Sequence, residues 1–508
     1  MEETRLRFAP SPTGALHIGG LRTALYNYLL ARKLKGKFIL RIEDTDQTRF
    51  VHGAEEYIIN CLQWANLIPD EGVGFGGNYG PYRQSERSQI YKEHVQKLLD
   101  SGHAYYAFDT IEELEVMRSK FTTEENKMPK YDFRTREHMN NSLKMSESEV
   151  KNLIELNTPF VIRLKVPQNE KVEIIDIIRN KVIFNTGELD DKVLMKSDGL
   201  PTYHLANVID DRLMKISHVV RGEEWLSSTA HHVLLYRFFG WEDEMPQFAH
   251  LPLILKPNGQ GKLSKRDGAQ FGFPVFPLDW KSSDDQIIGF KEFGFLPEAV
   301  LNFLALLGWN PGIEQEIFSL SEMINLFSLD QIGKSGARFD FDKAKWFNAQ
   351  YIQNSDPEYV KIHIQEEFNN HLLNISKEQC NLIYSLYKDR VQLLTEFYTQ
   401  GKYLVSDVFE ISDDFIHKKW KSDWATLYSN LLEVLRNVEW NKESLEIVLK
   451  QFMEKENLKM GEVLPSLRVM LSGTPMGPDI YQMLLALGQL KVMDRMNSFL
   501  VYVNKKIV

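Results

Sequence analysis

Apolar residues near the start of the chain recur at helical spacing between two short apolar runs. One helix face collects the residues spaced three and four apart: Leu21, Ala24, Leu25, Tyr28 and Leu29. Residues 4–9 and 38–42 are short runs of the kind that form buried strands, and Gly36 is a natural stop for the helix between them. The order strand, Pro-rich turn, helix and strand predicts the opening of a parallel α/β sheet.

Two charged residues fall where these predicted strands end. Arg7 lies near the end of the first strand, and Glu43 follows the second. Ligands of parallel sheets bind outside the carboxyl ends of the strands. We therefore expect Arg7 and Glu43 to lie at a ligand-binding edge of the sheet.

The pattern changes twice further along the chain. From about residue 100 to 195, Lys, Arg and Glu mix with short β-rich runs such as residues 160–164, and we interpret this stretch as an insertion that splits the sheet. The α/β pattern returns around residues 203–220. Beyond about residue 335 the strand signals fade, and stretches such as residues 480–490 predict a mostly helical C-terminal region.

Composition narrows the class of protein. The 508 residues are enough for about three or four domains, and 43% hydrophobic with 26% charged residues predicts a soluble, globular chain. The two cysteines, Cys61 and Cys380, are too few for a disulfide framework or a Cys-rich zinc site, which favours a reducing cytosol. The N-terminus has no apolar signal core, and no apolar run approaches the roughly 20 residues that span a bilayer. A net charge of −10 weakly disfavours a nucleic-acid partner without excluding one, because binding depends on where Lys and Arg cluster.

The segment 9–20 has features of a phosphate site. It reads Ala-Pro-Ser-Pro-Thr-Gly-Ala-Leu-His-Ile-Gly-Gly, with His17 and the pair Gly19-Gly20 at the predicted helix start. A helix N-terminus offers free N–H groups and the positive end of a dipole, and His17 can donate a hydrogen bond to a phosphate. The plain alternative is an ordinary turn histidine before a helix.

A second segment supplies cations. Lys262-Leu263-Ser264-Lys265-Arg266 lies within the Gly- and Lys-rich loop 258–268. A flexible cationic loop can close over a triphosphate and release pyrophosphate afterwards. Alone, such a cluster is usually a solvated surface loop. Its pairing with the His17 segment favours the ATP-handling interpretation.

The two segments, in this order and at this separation, resemble the HIGH and KMSKS signatures of class I aminoacyl-tRNA synthetases. With Arg-Ile-Glu-Asp-Thr-Asp at residues 41–46, the chain is most similar to the bacterial-type glutamyl-tRNA synthetase family. Gly20 stands where the first signature has a second His, so any contact from that His is absent. The resemblance continues over segments that are dense in family-like residues: 79–91, 199–226, 250–268, 304–309, 339–352 and 467–488.

The resemblance implies an α/β fold with a Rossmann-type parallel sheet. The implied domains, in chain order, are the first half of the catalytic domain at 1–98, an inserted acceptor-stem-binding domain at 99–195, the second catalytic half at 196–255, a stem-contact segment with the KLSKR loop at 256–335, and an all-helical anticodon-binding region, expected to have two subdomains, at 336–508. It also implies activation of L-glutamate by ATP to glutamyl-adenylate and transfer to the 3′ end of tRNA-Glu, with attack by the 2′-hydroxyl.

The resemblance assigns ATP binding and catalysis to the two signatures. The implied catalytic residues are His17 and Lys265, with Lys265 making the main ATP contact. The implied ATP-binding set is Pro10, Thr13, Gly14, His17, Gly19, Gly20, Lys262, Leu263, Ser264, Lys265 and Arg266. Mg²⁺ is expected with ATP, and the chemistry is expected to be positioning plus electrostatic stabilisation.

Glutamate recognition needs an arginine fork for the side-chain carboxylate and an acceptor for the ammonium group. Arg7 and Arg221 are the candidate cations, and Glu43 is the candidate anion. The resemblance places Arg7, Arg221, Tyr203 and Asn207 around the side chain, and Ala9, Ser11 and Glu43 at the ammonium. Taken singly, such an arginine is most often a surface ion-pair partner and such a tyrosine a core residue. The acidic turn at residues 43–46 is open to a metal-binding interpretation.

The expected partners are ATP, L-glutamate and tRNA-Glu; charging of tRNA-Gln, and whether glutamate activation requires bound tRNA, stay open. Weak candidates for tRNA contact are Arg436, Trp440 and Arg468, with the loop 473–478. Residues 105–108 contain no cysteine where some relatives carry zinc, so no structural zinc is predicted. A cytoplasmic monomer without membrane contact is expected, although the sequence itself does not reveal the oligomeric state.

Three rival functions remain in view. A glutaminyl-tRNA synthetase shares the architecture, but a neutral amide does not call for two arginines. A truncated paralogue that glutamylates a tRNA base lacks an anticodon region, whereas this chain continues to residue 508. A catalytically dead RNA-binding relative would not need His17, Lys265, Glu43 and Arg221 intact, and fold similarity alone never proves activity.

Overall fold

The computed structural model describes residues 3–281, 286–406, 413–421 and 423–507. The chain divides into two compact units. The N-terminal unit comprises Met1–Glu292 with Pro297–Ala344, and the C-terminal unit comprises Phe293–Leu296 with Lys345–Val508.

All strands in the described residues lie in the N-terminal unit. In chain order they are β1 (Arg5–Phe8), β2 (Lys37–Leu40), β3 (Glu71–Gly72), β4 (Ala104–Ala107), β5 (Val161–Leu164), β6 (Lys171–Asp176), β7 (Asn180–Asn185), β8 (Val193–Met195), β9 (His218–Gly222), β10 (Gln247–Leu251), β11 (Ile254–Leu255), β12 (Trp280–Lys281), β13 (Gln286–Ile287) and β14 (Ala337–Arg338). Seven of them form the main sheet in the order β3-β2-β1-β9-β10-β6-β7. Neighbours in this sheet run parallel, except that β6 and β7 form an antiparallel hairpin. The short strands β11 with β14 and β12 with β13 form two separate ladders.

The helices in chain order are α1 (Ile18–Lys33), α2 (Ala54–Trp64), α3 (Ser88–Asp100), α4 (Ile111–Phe121), α5 (Glu147–Glu155), α6 (Tyr203–Leu213), α7 (Leu226–Phe238), α8 (Lys265–Phe271), α9 (Phe290–Phe293), α10 (Pro297–Leu306), α11 (Leu320–Leu326), α12 (Phe341–Asn354), α13 (Pro357–Asn370), α14 (Lys377–Tyr387), α15 (Thr395–Gly401), α16 (Asp413–Lys419), α17 (Trp424–Arg436), α18 (Lys442–Lys455), α19 (Met460–Ser472), α20 (Ile480–Leu487) and α21 (Gln489–Ile507). None of the helices in the described residues is both long enough and apolar enough to cross a bilayer.

The strand–helix–strand unit predicted at the start of the chain is present as β1, α1 and β2. The predicted apolar face of α1 is buried apart from Tyr28, which is half-buried and packs edge-on against Phe38. Gly36 follows α1, where a side chain would collide with the carbonyl oxygen of Thr4. The glycine therefore lets the chain turn directly from the helix into β2, which pairs with β1 in parallel.

The predicted insertion contributes strands to two sheets. β4, β5 and β8 form a separate antiparallel sheet, in which the predicted run at residues 160–164 is β5. The β6–β7 hairpin instead extends the main sheet, because Asp176 of β6 pairs with Phe248 of β10. The domain boundary at residue 195 stays a prediction, and the hairpin shows that this stretch is not a separate body.

The C-terminal unit is helical throughout the residues that the structure describes, which confirms the predicted helical C-terminal region. Local signals start several of its helices. Asp356 accepts a hydrogen bond from the Glu358 N–H ahead of Pro357 at the first turn of α13. Ser376 and Gln379 form a capping box that starts α14.

Candidate active site

A cavity of about 1160 Å³ opens at the carboxyl ends of β1, β2 and β9, the edge at which ligand binding is expected. It is lined by most of the predicted site residues: Arg7, Ala9, Pro10, Ser11, His17, Gly19, Gly20, Glu43, Tyr203, Asn207, Arg221, Lys262, Leu263, Ser264 and Lys265. Three predicted ATP-binding residues do not line the cavity: Thr13, Gly14 and Arg266. The two signatures, separated by more than 200 residues in the chain, therefore meet at one cavity.

His17 presents an unsatisfied donor at this cavity. Its Nδ1 accepts a hydrogen bond from the Gly19 N–H at 3.1 Å, so a neutral ring carries its proton on Nε2. Within the described residues, the buried Nε2 has no hydrogen-bond partner. Burial and the nearby charges of Lys265 and Lys262 lower the pKa of His17 from 6.5 to about 4. His17 is therefore a neutral donor at physiological pH.

The N-terminus of α1 offers fewer free amides than the sequence suggests. The Ile18 N–H donates to the Val275 carbonyl oxygen at 3.0 Å, and the Gly19 N–H is held by His17. The Gly20 N–H donates to the His17 carbonyl oxygen at 2.8 Å. The prediction of free backbone N–H groups here is wrong for these three residues, because the turn and the neighbouring loop already use them. What the terminus retains is the helix dipole and the His17 donor.

The KLSKR loop is held by the cap of α8. Ser264 donates from its N–H and its hydroxyl to Asp267 Oδ2, at 2.7 and 2.6 Å. Lys262 pairs with Glu224 at 2.7 Å, whereas Lys265 forms no ion pair with a carboxylate of the described chain. The Lys265 Nζ lies 5.8 Å from the centre of the Phe276 ring, which also packs edge-on against His17. Of the two lysines of the KLSKR segment, both of which line the cavity, Lys265 is therefore the one whose charge is available for a bound anion.

The structure shows why two positions of the first segment, Gly14 and Gly20, carry glycine. Gly14 has a φ of +126°, and a Cβ there would lie 3.4 Å from Lys265 Nζ. At Gly20, where the signature of the wider class has His, a Cβ would lie 2.5 Å from Leu16 Cδ1. A side chain at either position would therefore disturb the site.

Arg7 is already paired inside the cavity. Its Nε and Nη2 donate to the two carboxylate oxygens of Asp211 at 3.0 and 3.3 Å. Arg41 donates to Asp211 at 2.7 Å and to Glu43 at 3.0 Å, so two cations and two carboxylates balance in one buried cluster. Burial raises the pKa of Glu43 despite Arg41 and Arg7. Burial also acts to raise the pKa of Asp211, but Arg7 and Arg41 hold it below its usual range.

Asn207 completes this cluster from α6. With its amide nitrogen facing Asp211 Oδ2 at 3.2 Å and its oxygen facing Arg41 Nη2 at 3.1 Å, the side chain satisfies both neighbours. Asn207 thereby bridges the carboxylate that holds Arg7 and the arginine that holds Glu43. Asn207 lines the cavity, and its place beside the substrate stays a prediction.

Arg221 differs from Arg7 in having only neutral partners. It is 5% exposed, and its guanidinium donates to Tyr203 Oη and Thr229 Oγ1, each at 2.8 Å, and to His250 Nε2 at 3.1 Å. It forms no ion pair with any carboxylate in the part of the chain that the structure describes. A buried cation without a counter-ion is costly unless an anion binds there. Arg221 is therefore a buried cation of the cavity that is suited to bind an anion.

Several residues that build this site were not singled out in the sequence. Arg41 and Asp211 hold the Arg7 cluster, and Thr229, His232 and His250 surround Arg221. Arg41, Asp211 and His250 do lie inside segments that carry the family resemblance. No local pattern identifies the others, because their contacts join residues far apart in the chain.

The acidic turn at residues 43–46 is not arranged as a metal site. Asp44 accepts from the Ser85 N–H and hydroxyl at 2.8 and 2.6 Å, and Asp46 accepts from Thr48 at 2.7 Å. The described residues contain no group of three or more His, Cys, Asp or Glu side chains that could hold a metal ion. The predicted lack of a structural zinc stays a prediction.

Two of the three candidates for tRNA contact make internal contacts in the C-terminal unit. Trp440 Nε1 donates to the Leu484 carbonyl oxygen at 3.3 Å. Arg468 donates twice to the Pro478 carbonyl oxygen, each time at 3.2 Å, and so ties down the loop 473–478. Among the residues that the structure describes, Arg436 pairs only with the neighbouring exposed Glu433, at 2.9 Å. Arg436 is the one of the three that is placed on an open surface.

Two family models match the chain. The first, described as "tRNA synthetases class I (E and Q), catalytic domain", covers residues 3–346. The second, described as "Anticodon binding domain", covers residues 358–500. The first match alone spans more than half of the chain and contains the whole cavity.

Similar proteins match over the full length. A protein named glutamate–tRNA ligase from Cytophaga hutchinsonii is 49% identical to this chain. The match covers 100% of this chain and 99% of that protein. One of the same name from Bacteroides thetaiotaomicron is 49% identical, with 97% of this chain and 98% of that protein covered. The crystal structure of a glutamate tRNA ligase from Elizabethkingia meningosepticum, in complex with its amino acid, is 45% identical with a TM-score of 0.90, over 99% of this chain and 100% of that one. This chain belongs to the glutamate–tRNA ligase family of class I aminoacyl-tRNA synthetases.

Proposed function

We propose that this chain forms glutamyl-adenylate from ATP and L-glutamate in the cavity at β1, β2 and β9, and transfers the glutamyl group to the 3′ end of tRNA-Glu. The observation that carries the proposal is the buried, unneutralised guanidinium of Arg221. A substrate carboxylate at this position would supply the missing counter-ion. Glutamate provides such a carboxylate on its side chain, and an arginine fork matches its planar geometry.

The remaining amino-acid contacts follow from the charges around Arg221. Tyr203 and Asn207 would flank the side chain, and Arg7 would add a second cation whose charge Asp211 already balances. The ammonium group would lie toward Glu43, with Ala9 and Ser11 beside it. Glu43 shares its own counter-ion, Arg41, with Asp211, so its carboxylate can still attract a substrate ammonium.

The triphosphate would bind between the two signatures. His17 would donate its free Nε2–H, and Lys265 would place its unpaired charge against the phosphates. The other proposed ATP contacts are Pro10, Thr13, Gly14, Gly19, Gly20, Lys262, Leu263, Ser264 and Arg266. Mg²⁺ is proposed to enter with ATP as part of the substrate, because the carboxylates of the acidic turn are already engaged.

The reaction needs no nucleophile from the protein. An oxygen of the substrate α-carboxylate attacks the α-phosphorus of ATP, and the bond to the bridging oxygen of pyrophosphate breaks. The 2′-hydroxyl of the terminal adenosine then attacks the acyl carbon and displaces AMP. Charge builds up on the phosphate oxygens during the first step, where His17 and Lys265 stabilise it.

The rival functions fit the site less well. Glutamine carries a neutral amide, which would leave the charge of Arg221 unmatched. The truncated paralogue lacks an anticodon region, whereas an anticodon-binding model matches residues 358–500 here. An RNA-binding relative without catalysis would have no use for the unsatisfied donor on His17.

Surface exposure and the state of the cysteines bear on the tRNA contact and on the cellular compartment. Arg436 is the first residue to test for tRNA contact, because it is exposed and lies in the anticodon-binding match. We propose a cytoplasmic monomer. Both cysteines, Cys61 and Cys380, are buried and free, which suits a reducing compartment.

The test is a charging assay with purified tRNA-Glu and tRNA-Gln, each offered labelled glutamate and labelled glutamine with ATP and Mg²⁺. Glutamate on tRNA-Glu is the expected result. Glutamate on tRNA-Gln as well would identify a non-discriminating enzyme within the same proposal. Glutamine on either tRNA would overturn the role of Arg221, and tRNA binding without any charging would support the RNA-binding relative.

A further inference from the structure

We propose that His250 and Asp176 are positioning residues that make Arg221 selective for a carboxylate. They hold the guanidinium through a neutral imidazole and so keep its charge available to the substrate. This inference rests on the proposed function, since it concerns the same glutamate site. Neither residue lines the cavity, so both act through Arg221.

The three side chains form a continuous buried relay. Asp176 Oδ2 lies 2.6 Å from His250 Nδ1, and His250 Nε2 lies 3.1 Å from Arg221 Nε. Their exposed fractions are 1%, 0% and 5%. Because Arg221 Nε can only donate, His250 Nε2 must accept. The imidazole proton therefore lies on Nδ1, where it is donated to Asp176.

Asp176 is fixed by the sheet that carries it. It is the last residue of β6 and pairs with Phe248 of β10, two residues before His250. Its Oδ1 also accepts from the N–H groups of Ile178 and Arg179 at 3.0 and 2.7 Å. The carboxylate therefore has a set position and can select one tautomer of His250.

The other acceptors around Arg221 are neutral too. Tyr203 Oη and Thr229 Oγ1 each accept at 2.8 Å, and His232 Nδ1 lies 3.4 Å from Nη1 and Nη2. Burial and the charge of Arg221 hold the pKa of His232 well below its usual value, so this ring is also neutral.

A carboxylate directly against Arg221 would cancel the charge that the substrate needs. Arg7 shows this alternative, because its fork is occupied by Asp211. In the relay, the carboxylate of Asp176 is one imidazole away from Arg221. A carboxylate brings the opposite charge and accepts two parallel hydrogen bonds, whereas the amide of glutamine is neutral, so a guanidinium kept in this state favours glutamate over glutamine.

The test compares His250→Leu, which removes the acceptor, with His250→Gln, whose amide oxygen can still accept from Arg221 Nε. ATP–pyrophosphate exchange is measured in the presence of tRNA-Glu, with kcat/KM for glutamate and for glutamine and KM for ATP. His250→Leu is expected to lower kcat/KM for glutamate by about 10- to 100-fold, the range seen when a ligand-orienting partner is lost. Glutamine use and KM for ATP should change far less, and His250→Gln should recover most of the activity.

Asp176→Asn serves as a second variant in case His250→Leu does not fold, as judged by thermal unfolding. Its amide can donate to Nδ1 and so move the imidazole proton to Nε2, facing Arg221 Nε. The selectivity for glutamate over glutamine should fall in this variant as well. Equal losses for glutamate and ATP, or unchanged selectivity in a folded variant, would overturn the positioning role.

Arg221→Ala distinguishes a failure of the His250–Asp176 relay from a failure of the proposed glutamate site. If it impairs glutamate use while the folded His250 and Asp176 variants do not, the relay is wrong and the glutamate site stands. If Arg221→Ala itself leaves glutamate use at the wild-type level, the proposed glutamate site fails and the relay fails with it.

Discussion

Arg7 donates two hydrogen bonds to Asp211, at 3.0 and 3.3 Å, within the wall of the substrate cavity. Asp211 is 2% exposed and also accepts from Arg41 at 2.7 Å. Asp211 therefore binds two buried guanidinium groups, while Glu43 supplies the second carboxylate of the cluster through Arg41. The two arginines at the carboxyl edge of the sheet therefore differ in their counter-ions. Arg7 belongs to a balanced cluster, whereas Arg221 has no carboxylate partner among the described residues.

Asp211→Asn should destabilise the N-terminal unit strongly. The substitution leaves Arg7 and Arg41 without their shared carboxylate, and an uncompensated buried charge costs about 3–5 kcal/mol. Urea unfolding measures the change. The control is Glu155→Gln, which removes an exposed ion pair with Lys151 and should cost less than about 1 kcal/mol. Similar losses in the two variants would contradict the importance of the cluster.

Arg221→Ala should impair glutamate use far more than ATP use. It removes a charged fork worth about 1.5–3 kcal/mol, which corresponds to a fall of roughly 10- to 150-fold in kcat/KM for glutamate. The KM for ATP should stay near the wild-type value. Exchange kinetics with each substrate varied in turn provide the measurement, and Arg221→Lys shows whether charge without the fork suffices. Equal damage to both substrates would argue against this assignment.

His17 offers a matched pair of substitutions. His17→Gln can place an amide N–H near the position of Nε2, whereas the shorter side chain of His17→Asn cannot reach it. Loss of one preorganised donor costs about 100- to 1000-fold in kcat in comparable sites. We expect His17→Asn to show a loss of this size in ATP–pyrophosphate exchange and His17→Gln to retain more activity. Indistinguishable variants would show that the Nε2 donor is not used.

His17 should also make stability depend on pH. Its pKa is about 4 in the folded chain against an ordinary 6.5. Between these two values the unfolded chain binds a proton at His17 that the folded chain does not, so the free energy of unfolding falls as the pH drops from 6.5 toward 4. Above pH 6.5 the contribution is fully present.

The measurement is the urea midpoint at pH 7 and at pH 5, for the wild type and for His17→Gln. Other titrating groups are common to both proteins, so the comparison isolates His17. The variant should lose less stability on acidification than the wild type does. The same loss in both proteins would show that His17 is not held neutral by folding.

Local patterns were sufficient for the first elements of the fold. The helical spacing from Leu21 to Leu29 and the stop at Gly36 are properties of neighbouring residues, and α1 and β2 follow from them. The β6–β7 hairpin was not predicted, because residues 100–195 were interpreted only as an insertion that splits the sheet. Alternation shows that two strands pair with each other, but not which sheet they join; here the choice depends on the pairing of Asp176 with Phe248.

In the candidate site, too, local segments were predictable from the sequence and contacts between distant residues were not. The signatures identify the residues that surround the cavity, because each signature is a local segment. The state of each residue depends on distant partners. Asp211 is 204 positions from Arg7, and Asp176 is 74 positions from His250. Nothing in the local sequence around Arg7 or Arg221 distinguishes the paired arginine from the unpaired one.

The β6–β7 hairpin limits how chimeric enzymes of this family can be built. Exchanging residues 99–195 between relatives would transplant Asp176 together with the segment proposed to contact the acceptor stem. The recipient would receive a foreign edge on its main sheet and a foreign partner for His250. Grafts that leave residues 171–185 native would keep the sheet intact. Under the proposed roles, contact with the acceptor stem and positioning of Arg221 lie on one stretch of chain, so an exchange of residues 99–195 would alter both.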